Sequence, residues 1–143
     1  MTRKLSLAAI AAAAIALQAA AADPAAEPAT ATVTVTNIRV QQGSIMAALH
    51  DERGWSSPAV ALAKAPADAA AVTLRFSAPP GRYGVQLFQD IDGNGELDAN
   101  LVGIPTEPFG FSNDAPLRFG PPSFEDAAFV LGPDGTAIIV TLR

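Results

Sequence analysis

Between residues 72 and 77 apolar and polar side chains alternate without a break, with Val72, Leu74 and Phe76 on one side and Thr73, Arg75 and Ser77 on the other. A period of two sends successive side chains to opposite faces, so this segment predicts a half-buried strand. Pro79, Pro80 and Gly81 stop it. The rhythm then resumes, with Tyr83, Val85, Leu87 and Gln89 alternating against Gly84, Gln86 and Phe88, and the second strand runs directly into Asp90. Residues 32–40 (TVTVTNIRV) alternate through Val33, Val35, Ile38 and Val40, with one irregularity after Thr36. Gln41, Gln42, Gly43 and Ser44 supply a turn, and residues 45–50 form a further apolar segment, which together predict a hairpin.

The rest of the chain is less regular. Residues 51–57 form a polar loop carrying Trp55. Residues 60–64 fit either a short helix capped by Ser57 and Pro58 or an edge strand bracketed by Pro58 and Pro66, and the strand is the reading adopted. A proline-rich connection follows over residues 100–122, with Phe109, Phe111 and Phe119 in it. Spans of that length without structure of their own are more often functional or tied down than free. The run Ser123, Phe124, Glu125, Asp126 has the form of a helix cap or a polar lead into a strand. Residues 127–131 and 136–142 are expected to be the last two strands, joined by a turn at Gly132, Pro133, Asp134 and Gly135. About seven short strands and no long helix predict an all-β fold, a single antiparallel β-sandwich.

The first 22 residues do not belong to that pattern. Arg3 and Lys4 precede an apolar run over residues 5–22 that ends in Ala20, Ala21 and Ala22 before the first acid, Asp23. This is the layout of a secretory signal peptide cleaved after Ala22. An uncleaved membrane anchor is the competing reading, and the alanine richness of the run weakens it. The chain is therefore divided into a signal peptide (residues 1–22), a flexible Ala/Pro/Glu leader (23–30) and one folded domain (31–143), destined for the periplasm or the extracellular space with no membrane span once mature. The formal charge of −5 becomes −7 when the two basic residues of the signal peptide are removed, which argues against nucleic acid as a partner. With no cysteine, disulfides, thiolate metal sites and cysteine nucleophiles drop out.

What charge remains is concentrated. Asp90, Asp92, Asn94 and Asp98 put side-chain oxygens at positions 1, 3, 5 and 9 of a loop, Glu96 offers its backbone carbonyl at position 7, and Gly95 allows the sharp turn at position 6. This is the ligand spacing of a calcium-binding loop. Two carboxylates about 7 Å apart repel by roughly 2 kcal/mol at an effective dielectric of 20, and a divalent cation reverses the sign. The pattern departs from an EF-hand at position 12, where Leu101 replaces the bidentate glutamate, and in having no flanking helices. Five ligands are too few for Ca2+, so either water or a remote residue, Glu107, Asn100 or Asp114, is expected to contribute, with Glu107 taken as the sixth candidate. Leu97 is expected to point inward as the loop's anchor. The bland alternative is a hairpin turn rich in residues that favour local hydrogen bonds.

Other chemistry is thinner. Phe109 and Phe111 beside Glu107, Ser112 and Asn113 could line a pocket for a small ligand or a peptide, but in a domain this small they are read as plugging the open end of the sandwich. His50, the one histidine, sits next to Asp51 and Glu52 and is expected to be an exposed strand end. No Gly-x-Ser-x-Gly motif accompanies it. A non-enzymatic module is therefore the leading reading, and a small periplasmic hydrolase built near His50 or Glu107 is the alternative.

The strings PGRYGV at 80–85, the acidic loop at 90–98, GIPTE at 103–107, FGFSN at 109–113 and PSFEDA at 122–127 together resemble the bacterial secreted family DUF2141 over about residues 31–143. The Gly-x-Tyr turn leading into a strand is also similar to prealbumin-like and carboxypeptidase-regulatory sandwiches. The resemblance implies a prealbumin-like or Ig-like topology and export. It implies no activity.

Overall fold

The computed structural model describes residues 26–56 and 58–143. The expected signal peptide, and residues 23–25 of the expected leader, lie outside them. Eight strands form two sheets: β1 (Ala29–Thr36), β2 (Ser44–His50), β3 (Ala61–Pro66), β4 (Val72–Ala78), β5 (Gly81–Asp90), β6 (Phe109–Phe111), β7 (Phe129–Leu131) and β8 (Thr136–Thr141). The smaller sheet has the order β4-β1-β8, and the larger runs β3-β2-β5, with β6 and β7 both paired to the far edge of β5. The fold is an all-β sandwich. Its core is built from the faces the alternation marks: Val33 and Val35 of β1, Leu74 and Phe76 of β4, Ile45 and Leu49 of β2, and Tyr83, Val85 and Leu87 of β5 are all buried.

The expected hairpin between the first two strands does not form. β1 pairs with β4 antiparallel and with β8 in parallel, while β2 pairs with β3 and β5 in the other sheet. The chain changes sheets at Asn37, whose φ of 64° breaks the extended run before Ile38. Its amide Nδ2 donates to the Leu142 carbonyl at 2.6 Å, tying the crossing to the end of β8. β1 also starts at Ala29, two residues before the expected domain boundary, so Ala29 and Thr30 belong to the sheet and not to the leader. Likewise, the turn at Gly132–Gly135 does not close a hairpin. It closes on itself through Gly135 N–H to the Gly132 carbonyl at 3.0 Å and carries the chain from β7 on β5 across to β8 on β1.

The long connection is tied down. β6 is a three-residue strand within it, followed by a 3-10 turn over Ser112–Asp114. β6 pairs with Gln86–Phe88 of β5 and β7 with Gly81–Tyr83, which leaves Val85 N–H in the gap between them. Ser112 Oγ accepts that N–H at 2.9 Å and donates to the Ala127 carbonyl, so a buried backbone donor that no strand reaches is still satisfied. The run at Ser123 proves to be a helix cap: Ser123 Oγ accepts the Asp126 amide at 3.2 Å ahead of a single turn, α1 (Phe124–Ala127).

Trp55 closes one end of the larger sheet. Its ring packs at 6.4 Å from Phe111 and 5.8 Å from Phe124, with Nε1 donating to the Pro122 carbonyl at 2.8 Å. A Cβ on Gly84 would stand 2.5 Å from that ring, so only glycine leaves room for it. Phe111, Ala115 and Ala127 form a second small core here, with Trp55 and Phe109 against it. Phe111 is thus buried in this satellite core on the outer face of the larger sheet and does not plug the space between the sheets as expected, whereas Phe119 is fully exposed.

Candidate metal centre

β5 ends at Asp90, and the loop beyond it folds back through its own backbone amides. Asp90 Oδ1 accepts Gly93 N–H at 3.0 Å and Oδ2 accepts Gly95 N–H at 2.9 Å, the two glycines holding φ near 78° and 79°. Positive φ costs glycine nothing, so the loop can turn twice around one carboxylate. Asp92 Oδ1 accepts the Asn94 amide at 3.1 Å, and Asn94 Oδ1 accepts the Glu96 amide at 2.9 Å. On the other side, Gly43 lies so close that a Cβ there would fall 1.9 Å from the Asp90 carbonyl oxygen.

Glu107 enters from the connection after the loop. Its Oε1 accepts Ile91 N–H at 2.8 Å and its Oε2 accepts Asp98 N–H at 3.1 Å, which pins the start and the end of the loop to one side chain. Asp90, Asp92 and Glu107 each present a carboxylate oxygen, all within 4.8 Å of one another. Asp90 is 2% exposed and Glu107 7%. At such a separation like charges repel, and water screens the exposed Asp92 more than it screens the buried Asp90 and Glu107. Among the described residues the single ion pair is Arg82–Glu125, remote from the loop in sequence, so no basic side chain offsets these acids.

The Asp92 carboxyl responds to that crowding. The Asn94 amide pulls its pKa down, but partial desolvation, a hydrogen bond with Asp98 and the charges of Asp98 and Glu107 together push it above the usual carboxylate range. A raised folded pKa favours the protonated form. Asp92 therefore supports the ion-free fold below the ordinary carboxylate pKa and ceases to do so as pH rises through its higher folded value.

The expected ligands fall into two groups. Asp90, Asp92 and Glu107 come together, while Asn94 Nδ2 and Asp98 Oδ1 bond to each other at 2.6 Å. Of the three remote candidates, Glu107 is the one that arrives. Asn100 closes its own turn by accepting the Val102 and Ile104 amides at 3.0 Å, and Asp114 accepts Thr141 N–H at 2.8 Å beside β8. Leu97 does not anchor the loop inward. It is 39% exposed and lies over the outer face of the larger sheet.

His50 is also placed differently from expectation. It is buried, its Nδ1–H donates to the Gly54 carbonyl at 2.7 Å, and its ring meets Trp55 edge-on at 5.9 Å. An acceptor carbonyl and an aromatic face explain the burial of a polar ring. In the β2–β5 ladder His50 stands opposite Gly84 and Ser44 opposite Asp90, so the histidine and the acids are about six residues, roughly 20 Å, apart. They cannot share one reacting atom. Ser112 and Asn113 serve structure too, the latter donating to the Asp126 and Ala128 carbonyls at 3.2 and 2.8 Å.

Two sheets face to face, with an acidic loop closing one rim, define an all-β sandwich. The chain belongs to the DUF2141 family, described as "Uncharacterized protein conserved in bacteria", whose profile matches residues 33–139. No curated protein and no solved structure matches it. Among the described residues no helix is long and apolar enough to cross a membrane.

Proposed function

We propose that this protein is an exported, non-enzymatic β-sandwich module, periplasmic or extracellular, whose rim is locked by Ca2+ in the loop from Asp90 to Asp98. Glu107 carries the argument. The loop lacks the glutamate expected at position 12, and a glutamate from another segment supplies a buried carboxylate to Asp90 and Asp92 instead. Asn94, the Glu96 carbonyl, Asp98 and water complete a set of hard oxygen donors of the kind Ca2+ takes six to eight of. Export rests on the basic, apolar and small-residue tripartite start of the chain.

Calorimetric titration of protein starting at Asp23, at low ionic strength and with Mg2+ as control, tests the ion. Heat of association with Ca2+ and a rise in melting temperature are expected, with affinity near the ~0.1 to 1 mM of extracellular calcium modules. Identical behaviour in chelator and in millimolar Ca2+ overturns the reading. For export, the periplasmic fraction of a bacterium expressing the full chain should contain protein beginning at Asp23.

A further inference from the structure

The outer faces of the two sheets differ in a way that solvation alone does not explain. On the smaller sheet, Thr32 and Thr34 of β1 lie between Thr73 and Arg75 of β4 and Ala137 and Ile139 of β8, a mostly polar surface. On the larger sheet the strand register sets a rung of Lys64, Met46, Phe88 and Phe109 across four strands. The next rung is Leu62, Ala48, Gln86 and Phe111. Leu97 and Gly95 of the acidic loop fold over this face and give it a wall. The result is a groove of about 590 Å³, within the ~300–1,000 Å³ of small-molecule sites, lined almost wholly by apolar side chains.

Lys64 is the one charged side chain in that lining, and among the described residues it has no ion-pair partner. Asp90, Asp92 and Glu107 accept backbone amides and converge on one another, Asp98 bonds to Asn94, and the exposed Glu96 is not among the groove's lining residues, so the loop contributes to the groove a glycine and a leucine. Gln86 reaches the second rung but its Nε2 is held by the Trp55 carbonyl at 2.6 Å. We propose that the groove binds a small amphiphile with an apolar body and a single carboxylate, the body lying over Met46, Phe88 and Phe109 and the carboxylate meeting Lys64. Charge complementarity with Lys64 selects the acid, and the size of the groove suits a small molecule. This holds whether or not the loop carries an ion.

The test is calorimetric titration of the purified protein with decanoate, 1-decanol and decylamine, each below its aggregation concentration. Decanoate is expected to bind one molecule per chain and more tightly than decylamine. Lys64→Met, which keeps an apolar stem, should weaken decanoate about threefold to fivefold, the range an exposed ion pair sustains, and leave decanol unchanged. Leu62→Glu alters an exposed position that the fold does not need and should weaken decanoate further. Ala48→Trp should fill the groove and abolish binding of both probes at an unchanged circular dichroism spectrum. Absence of binding, a preference for decylamine, or full decanoate affinity in Lys64→Met overturns the proposal. So does sedimentation showing a dimer that Leu62→Glu converts to monomer, since the groove would then be covered by a second copy.

Discussion

At the Tyr83 end of β5, Trp55 lies flat against Gly84 and gathers His50, Phe111 and Phe124 around it. At the other end of the same strand, Asp90, Asp92 and Glu107 gather around one another. Both ends bring distant segments of chain together, but they do so by different physics. Aromatic closure gains by excluding water and needs nothing from the medium. Acidic closure relies on backbone amides to offset repulsion and, on the reading proposed above, on an ion whose contribution depends on its concentration. One rim is unconditional and the other is conditional.

That contrast can be broken most strongly at Trp55. Trp55→Ala should cost about 3 kcal/mol in urea unfolding, from lost transfer energy and a cavity, by the same amount in Ca2+ and in chelator. The next effect is the ion itself. With a dissociation constant of ~0.1 to 1 mM, 10 mM Ca2+ should stabilise the protein by about 1.4–2.7 kcal/mol. Asp92→Ala should erase that gain while leaving the chelator baseline no lower, because an acid is removed from a crowd of acids. Glu107→Gln sharpens the distinction between metal ligand and loop clasp. It should abolish the calcium response and also cost about 1–3 kcal/mol in chelator, since one of the Ile91 and Asp98 amides loses its carboxylate acceptor.

The smallest effect belongs to the aromatic end. Tyr83 donates its hydroxyl to the Pro79 carbonyl at 2.7 Å, and burial, aided by the charge of Asp51, pushes its pKa up. The neutral phenol is thus favoured by folding. Its contribution is complete below the unfolded phenol pKa of about 10 and is lost as pH rises through the higher folded value. Tyr83→Phe should cost about 1 kcal/mol near neutrality and should flatten the alkaline decline seen by thermal melts.

Which parts were legible in the chain follows from how local their causes are. The alternations in β4 and β5 state which side chains face the core, and Leu74, Phe76, Val85 and Leu87 are buried as the period demands. Pairing is not local. Nothing near Thr36 announces that Asn37 will turn the chain into the other sheet, because the partners that fix β1 are Val72–Ala78 and Thr136–Thr141. β6 was hidden for the same reason: Phe109-Gly110-Phe111 is too short to show a period, and β5 makes it a strand. At the rim, spacing disclosed Asp90 and Asp92 and the missing twelfth position pointed to a remote acid, while the Asn94–Asp98 bond depends on side-chain conformation that spacing does not encode. The pattern does not reveal the burial of His50, because the Gly54 carbonyl and the Trp55 ring that bury it come from a loop without periodicity. Nor does it reveal that Leu97 lies over the outer face, because the groove it covers exists only once four strands are in register.

The parallel pairing of β1 with β8 sets the order in which the molecule can be finished. β1 is the central strand of its sheet, yet its parallel neighbour β8 follows it in the chain only after every strand of the larger sheet. Until Thr136–Thr141 is available, the edge of β1 next to Val33 and Val35 has no ladder to join and stands open to other chains. Such a long-range closure folds slowly and all at once. The smaller sheet therefore cannot close until the chain has been made about 105 residues beyond its partner positions in β1.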